Sequence, residues 1–245
     1  MISYFHKLSK FTNRVVNAAQ MGVYFPGTKQ FKLPQQLLIR KNLVKINAPE
    51  ESGLAWDFIN VLLDDEYGLY NILPPPATVL DIGANIGLFS LWAARCFPSA
   101  IIHAYEPNPR TTPFTQKNLD QCGVNLFREA IGSKTGFASL VDNSESRLCQ
   151  IKTGSSQGIR IIPLQEAINR IGGQVDLLKI DCEGAEWDIF RNPEPFKNIK
   201  SIRMEYHLTE GRIIEDVKEV INKLGFTLEH LEENSGFGIV WFSRN

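Results

Sequence analysis

The chain has 245 residues, of which 43% are hydrophobic and 22% charged, with 26 Lys plus Arg against 27 Asp plus Glu. These proportions exclude a disordered, collagen-like or disulfide-scaffold protein, and a net charge of -1 leaves no overall field to concentrate the molecule on nucleic acid or an acidic membrane. The balance is uneven, because residues 1–50 carry Lys7, Lys10, Arg14, Lys29, Lys32, Arg40, Lys41 and Lys45 against Glu50 alone, a local +7 set against -8 in the remainder.

In chain order, Phe5, Leu8, Phe11, Val15 and Val16 recur near helical spacing beside Lys7, Lys10 and Arg14, which predicts a short basic amphipathic helix. Residues 1–76 read as a basic cap and helical extension, suited to pack on the main domain or to make peripheral contact with a membrane surface. Within it Leu54 to Leu63 is helical in pattern, Glu66 and Tyr67 follow, and Leu73-Pro74-Pro75-Pro76 stops any helix. The main domain is expected over 77–245. Strand Thr78 to Ile82, helix Gly87 to Cys96, strand Ala100 to Tyr105, helix Pro109 to Gln121 and strand Asn125 to Ala130 alternate, which predicts a doubly wound, mostly parallel α/β sheet. Between 136 and 163 the rhythm breaks: Phe137 to Val141 and Gly158 to Ile162 are extended around a polar, Ser-rich stretch, read as an inserted β-hairpin flap. Helix Leu164 to Ile171, strand Val175 to Ile180, helix Ala185 to Phe190, strand Ser201 to Tyr206 and helix Gly211 to Leu224 follow. Thr227 to Leu231 and Gly238 to Phe242 form a closing antiparallel hairpin.

No run approaches the roughly 20 apolar residues of a membrane span, and the start lacks a secretory pattern, so a cytoplasmic protein is expected. Cys96, Cys122, Cys149 and Cys182 are widely spaced with no C-x-x-C pair, and read as reduced thiols and not a zinc site. Nothing in the pattern specifies an oligomeric state.

Two segments carry chemistry. The first, Asp81-Ile82-Gly83-Ala84-Asn85-Ile86-Gly87, takes a buried strand through a glycine turn into a helix whose free N–H groups can meet a ligand. Glu106 ends the next strand, where a carboxylate can accept hydrogen bonds from two ribose hydroxyls. A dinucleotide turn needs a glycine where Asn85 stands, and no phosphate loop for a nucleoside triphosphate is present. S-adenosylmethionine carries no phosphate and needs an acid for its ribose and an anion for its ammonium, roles that suit Glu106 and Asp81. The competing structural reading makes Asp81 a turn cap. The second segment, Leu178-Lys179-Ile180-Asp181-Cys182-Glu183-Gly184-Ala185-Glu186, places Asp181 and Glu183 at the neighbouring strand end, beside Asp81 in space. Lys179 and Glu186 could form a solvated pair, with Glu183 capping the helix. His207 ends the following strand, and an imidazole with an ordinary pKa of about 6.5 suits proton abstraction.

With Tyr105-Glu106-Pro107, Asn118-Leu119 and Glu129-Ala130-Ile131-Gly132, these segments resemble the FkbM family of S-adenosylmethionine-dependent methyltransferases over roughly 64–206. Cys182 departs from the branched aliphatic residue commoner there, and its side chain is expected to point away from the site. The resemblance implies the seven-stranded Rossmann-like methyltransferase sheet, in order 3-2-1-4-5-7-6, and O-methylation of a hydroxyl on a sugar, glycan or polyketide-type metabolite. Expected cofactor contacts are Glu66, Tyr67, Asp81, Gly83, Asn85, Gly87, Glu106, Ala130, Ile131 and Asp181. Catalysis falls to His207, assisted or replaced by Asp181 or Glu183, while Ser144, Glu145, Ser146 and Arg147 of the flap would touch a small-molecule or glycan acceptor. A divalent metal on Asp181, Glu183 and Glu205 is a disfavoured alternative, since no dedicated ligand spacing is present. An NAD-dependent oxidoreductase and a non-catalytic binding protein of the same fold compete with the methyltransferase reading. Nucleic acid is not an expected partner: no N-P-P-Y-like tetrapeptide and no basic stripe interleaved with aromatics occurs. The basic head is expected to favour an anionic acceptor.

Overall fold

A computed structural model describes residues 2–141, 143–209 and 211–244; the side chains of 2–7, Arg147 and Thr153 lie outside the described set, and with them the expectations for Phe5, Lys7 and Arg147. Helix α1 (Ile2–Gln20) leads to the hairpin β1 (Gln36–Ile39) and β2 (Asn42–Lys45). The pattern did not announce this hairpin, because Arg40 and Lys41 occupy its two left-handed turn positions, at φ 50° and 67°, in place of the usual Asn-Gly. Helix α2 (Gly53–Phe58) runs on as a π-helix, Ile59–Leu63.

Strand β3 (Thr78–Ile82), helix α3 (Leu88–Cys96), strand β4 (Ile101–Tyr105), helix α4 (Thr112–Leu119) and strand β5 (Asn125–Phe127) form the first half of the α/β unit. The predicted strand Asn125 to Ala130 is two strands. The chain leaves the sheet after Phe127, and β6 (Ala130–Gly132) joins a second sheet with β7 (Gly136–Val141), β8 (Gln150–Thr153) and β9 (Ile159–Pro163), in the order β6-β9-β7-β8. The expected hairpin flap is therefore a four-stranded insertion. Strand β8 hid in the polar stretch because its pairing with β7 defines it, not its periodicity. Glu129 sits at the branch and ties the insertion's base to Arg160 and Arg170.

Helix α5 (Leu164–Arg170), strand β10 (Val175–Ile180), helix α6 (Glu186–Ile189), strand β11 (Ile199–His207), helix α7 (Ile214–Lys223) and the hairpin β12 (Thr227–Glu233) and β13 (Phe237–Ser243) complete the chain. The main sheet runs β5-β4-β3-β10-β11-β13-β12, with β13 antiparallel to both neighbours, which is the implied seven-stranded order. Helices α5 and α7 cover one face. The other buries Phe89 and Trp92 of α3 in one continuous core with Ala18, Met21, Phe25, Phe31 and Phe58. Arg14 grips Asp64 with two hydrogen bonds of 2.7 and 2.6 Å, and Asn17 donates to the Leu63 carbonyl, so α1 is clamped to the π-helix. Among the described residues no helix is long and apolar enough to cross a membrane.

Candidate active site

Parallel register places the carboxyl ends of β3, β10 and β11 side by side, with Lys179 opposite Asp81. The turns beyond β3 and β10 touch: a Cβ on Gly83, whose φ is 77°, would lie 1.7 Å from the Asp181 carbonyl oxygen, so only glycine fits. Lys179 is buried between the two acids, its Nζ 3.3 Å from Asp81 Oδ1 and 3.4 Å from Asp181 Oδ2, and it donates to the Gly83 carbonyl at 2.6 Å. Burial alone would depress the ammonium, but Asp81 and Asp181 outweigh it and hold it well above its ordinary range.

A cavity of about 1050 Å³ opens over these strand ends. Glu66, Tyr67, Gly83, Asn85, Glu106, Ala130, Ile131, Asp181 and Glu183 all line it. Asp81 and Gly87 do not, which corrects two expectations. Asp81 is fully buried, accepts the Ser90 hydroxyl at 2.6 Å and balances Lys179, so it acts behind the wall. Gly87 turns the chain into α3 at φ 91°, and a Cβ there would press 2.8 Å from Leu119 Cδ2; its glycine serves packing.

Glu106 is buried and accepts the Asn85 N–H and the Asn108 N–H, each at 2.7 Å on a different oxygen. Burial pushes its carboxyl up to about 7 despite these bonds, and each oxygen keeps a lone pair for a hydroxyl. Beside it the buried Asn108 Nδ2 has no hydrogen-bond partner. Because the Asn85 N–H is aimed at Glu106, a pyrophosphate at this turn would meet a carboxylate. The backbone is strained here, with Asn85 at φ 47° and Glu183 at φ 53°.

Across the cavity, Tyr67 donates to Asp181 Oδ2 at 3.3 Å. Burial, with the charges of Glu205, Asp181 and Asp57, pushes Glu66 well above the usual carboxylate range. Burial and Asp181 likewise lift Glu205 to about 8, with His207 opposing. Glu205, named in the sequence only as a ligand of the disfavoured metal, lines the cavity, and its position two residues before His207, on the same face of β11, is legible in the sequence.

His207 is displaced from its expected role. It does not line the cavity; Nδ1 lies 2.6 Å from Glu186 Oε1, while Nε2 lies 3.4 Å from Glu183 Oε2 and 3.7 Å from Glu205 Oε1. Burial would lower the imidazole, but the Glu186 hydrogen bond and the surrounding carboxylates raise it to about 9, so near neutrality it is a cation and not a base. The suggested Lys179–Glu186 pair therefore does not form. Cys182 also departs from expectation, since it borders the cavity while packing on the core beside β10. Among the described residues, no group of three or more His, Cys, Asp or Glu side chains is disposed to hold a metal ion, and Asp181, Glu183 and Glu205 are no exception.

The flap differs too. Glu145 contacts Ser52 Oγ and accepts the Gly53 N–H, and Ser146 Oγ lies 2.7 Å from Glu51 and 3.2 Å from Asn85 Oδ1. Ser144 Oγ lies 3.3 Å from the neighbouring Asn143 side chain. Glu145 and Ser146 thus fasten the insertion over the Asn85 turn, beside Glu106.

The donor set fits S-adenosylmethionine: a two-lobed acid for a diol at Glu106, an unsatisfied amide at Asn108, the Asp181 carboxyl, and carboxyls at Glu66 and Glu205 whose pKa burial and neighbouring carboxylates raise.

The profile described as the methyltransferase FkbM domain matches residues 81–237, and the chain belongs to this family of S-adenosylmethionine-dependent methyltransferases. It is 26% identical over 218 residues to the AMB antimetabolite synthetase AmbE of Pseudomonas aeruginosa, covering 68% of this chain and 10% of that protein. It is 29% identical over 153 residues to Methyltransferase 1 of Beauveria bassiana, 50% of this chain and 61% of that one. The 31-O-demethyl-FK506 methyltransferase FkbM of Streptomyces tacrolimicus is 25% identical over 197 residues, 64% of this chain and 75% of its own length.

Proposed function

We propose that the protein O-methylates a hydroxyl of a small-molecule or glycan acceptor. The observation that carries this reading is the convergence of Glu66, Asp181 and Glu205 in one cavity opposite Glu106, with burial and neighbouring carboxylates pushing Glu66 and Glu205 above the usual carboxylate range. S-adenosylmethionine supplies an electrophilic methyl on a cationic sulfur that becomes a neutral thioether.

Glu106 holds the ribose hydroxyls, Asn108 offers its amide nearby, Ala130 and Ile131 border the adenine, and Glu66 with Asp181 faces the amino-acid end. Glu205 takes the acceptor's hydroxyl proton. A positive charge entering the cavity lowers its pKa, so this base forms once the site is charged. The imidazolium of His207, steadied by Glu186, holds the Glu183 and Glu205 carboxylates in place. The insertion, fastened over the Asn85 turn by Glu145 and Ser146, keeps water from the reacting oxygen.

Calorimetry with S-adenosylhomocysteine and NADH, followed by transfer of labelled methyl to a panel of glycosides and sugar nucleotides, tests the reading. S-adenosylhomocysteine alone should bind, and Glu205→Gln should lower kcat by about 10²–10⁴-fold, the usual contribution of a positioned base, with cofactor affinity kept. A Glu205→Gln rate within threefold of wild type would remove Glu205 from the chemistry. Binding without transfer to any acceptor would favour the non-catalytic alternative.

A further inference from the structure

The cavity has two walls. The inner one is formed by the β3 turn, Glu106 and β6. The outer one is formed by α1 through Asn13 and Val16, by α2 and the π-helix through Trp56 and Asn60, and by the closing hairpin through Asn234 and Phe237. Helix α1 therefore belongs both to the cavity rim and to the surface of the molecule.

The way α1 docks is the reverse of an ordinary amphipathic helix, which turns its apolar stripe inward. Polar side chains hold it here: Lys10 and Arg14 pair with Asp64, and Asn17 donates to the Leu63 carbonyl, three positions spaced four and three residues apart on one face. Leu8, Phe11 and Val15, spaced three and four residues apart, share a different face and are 51%, 45% and 38% exposed. An apolar stripe left in solvent on a helix already fastened by its polar side is a surface for a further partner.

The charge beside the stripe selects the partner. The loop that follows α1 packs along the helix: the Phe25 ring lies 5.8 Å from that of Phe11, and Thr28 Oγ1 accepts from Arg14 Nη1 at 2.8 Å. This loop carries Tyr24, 83% exposed, and the exposed Lys29 and Lys32. Among the described residues neither lysine forms an ion pair, and no acid precedes Glu50 in the chain. Neither lines the cavity, where Lys10 and Lys179 are both already paired. Their charge therefore serves a surface and not a ligand inside the cavity. A second copy of the chain would set lysine-bearing surfaces against each other, and a nucleic acid would leave the apolar side chains in water. An anionic bilayer answers both features, with acyl chains to receive Leu8, Phe11 and Val15 and headgroups to receive Lys29 and Lys32.

We propose that α1 and the loop over residues 24–32 dock on an anionic lipid surface, with α1 lying in the plane of the headgroups and the cavity rim beside it. The net charge of -1 conceals this surface, because the acids that balance the basic head stand elsewhere in the chain.

The test is flotation of the full chain with vesicles of phosphatidylcholine alone and of phosphatidylcholine with about 30% phosphatidylserine. Binding is expected on the anionic vesicles, at least about tenfold weaker on the neutral ones, and falling as salt rises from about 0.1 to about 0.5 M. Lys29→Gln with Lys32→Gln should weaken it roughly 25-fold, about fivefold for each lysine near a charged surface. Leu8→Gln with Val15→Gln should weaken it at least about tenfold, while the thermal melt and S-adenosylhomocysteine affinity stay unchanged because both side chains stand in solvent and neither lines the cavity. Absence of flotation with phosphatidylserine, equal flotation on both vesicles, or a stripe variant that floats like wild type would overturn the proposal. So would sedimentation of the wild-type chain as a dimer that Leu8→Gln with Val15→Gln returns to monomer, since the stripe would then belong to a second copy.

Discussion

The inner and outer walls of the cavity are built on opposite principles. On and behind the inner wall the charged groups are buried and paired: Lys179 with Asp81 and Asp181, Glu106 with two backbone N–H groups, His207 with Glu186. The outer wall leaves Trp56 and Phe237 in solvent and draws its polar groups from three separate segments. The inner wall is preorganised at the cost of backbone strain at Asn85 and Glu183, while the outer wall keeps open surface.

The largest effect expected from disturbing this contrast is on the inner side. Lys179→Met leaves Asp81 and Asp181 facing each other without their buried cation, and should cost about 3–5 kcal/mol of stability in a urea melt. A loss under 1 kcal/mol would show that the inner wall is not matched as described.

A second effect separates the walls by pH. Glu106 and Glu205 hold their protons to about 7 and about 8, so a cationic ligand must displace protons below those values. S-adenosylmethionine affinity should therefore rise between about pH 6 and 8, by up to tenfold per unit for each proton released. S-adenosylhomocysteine, without the sulfonium, should show a shallower slope, and parallel slopes would sink the account. The same shifts make the ligand-free protein less stable as pH climbs. The unfolded chain ionises these carboxyls near 4.5 whereas the folded one resists until 7–8, and the His207 contribution is lost in turn between 6.5 and about 9.

The smallest effect belongs to the outer wall. Arg14→Ala breaks the paired hydrogen bonds to Asp64 and loosens α1, one side of the cavity. A KM for acceptor raised about threefold, with S-adenosylmethionine affinity held, is the expected outcome in steady-state kinetics; an equal change in both would mean that the head supports the two walls alike.

Sequence and structure divide along the same line. The strand-turn-helix around Gly83, the acid ending β4 and the Asp181-Cys182-Glu183-Gly184 turn were legible because each is local: hydrophobic runs mark the strands, glycines the turns, and parallel topology brings strand ends together. The roles of individual side chains were less so. Asp81 and Gly87 lie in the right motif but do not line the cavity: Asp81 turns to Ser90 and Lys179, and Gly87 packs against Leu119. His207 was credited with an ordinary imidazole pKa, which Glu186, 21 residues earlier in the chain, abolishes.

By itself, then, the sequence determined the fold class, because alternating strand and helix patterns follow from periodicity, and carried the motifs whose resemblance to the FkbM family implied the order of the main strands. Only the tertiary structure showed that Glu205 lines the cavity while His207 does not, and where Lys10 and Arg14 of the basic head are engaged. Charges in the first 50 residues sum to +7 on paper, yet Lys10 and Arg14 meet Asp64, and the chamber that α1 helps to enclose is lined by acids from α2, β11 and β12. Electrostatics depends on distance and burial, and neither can be counted along a chain.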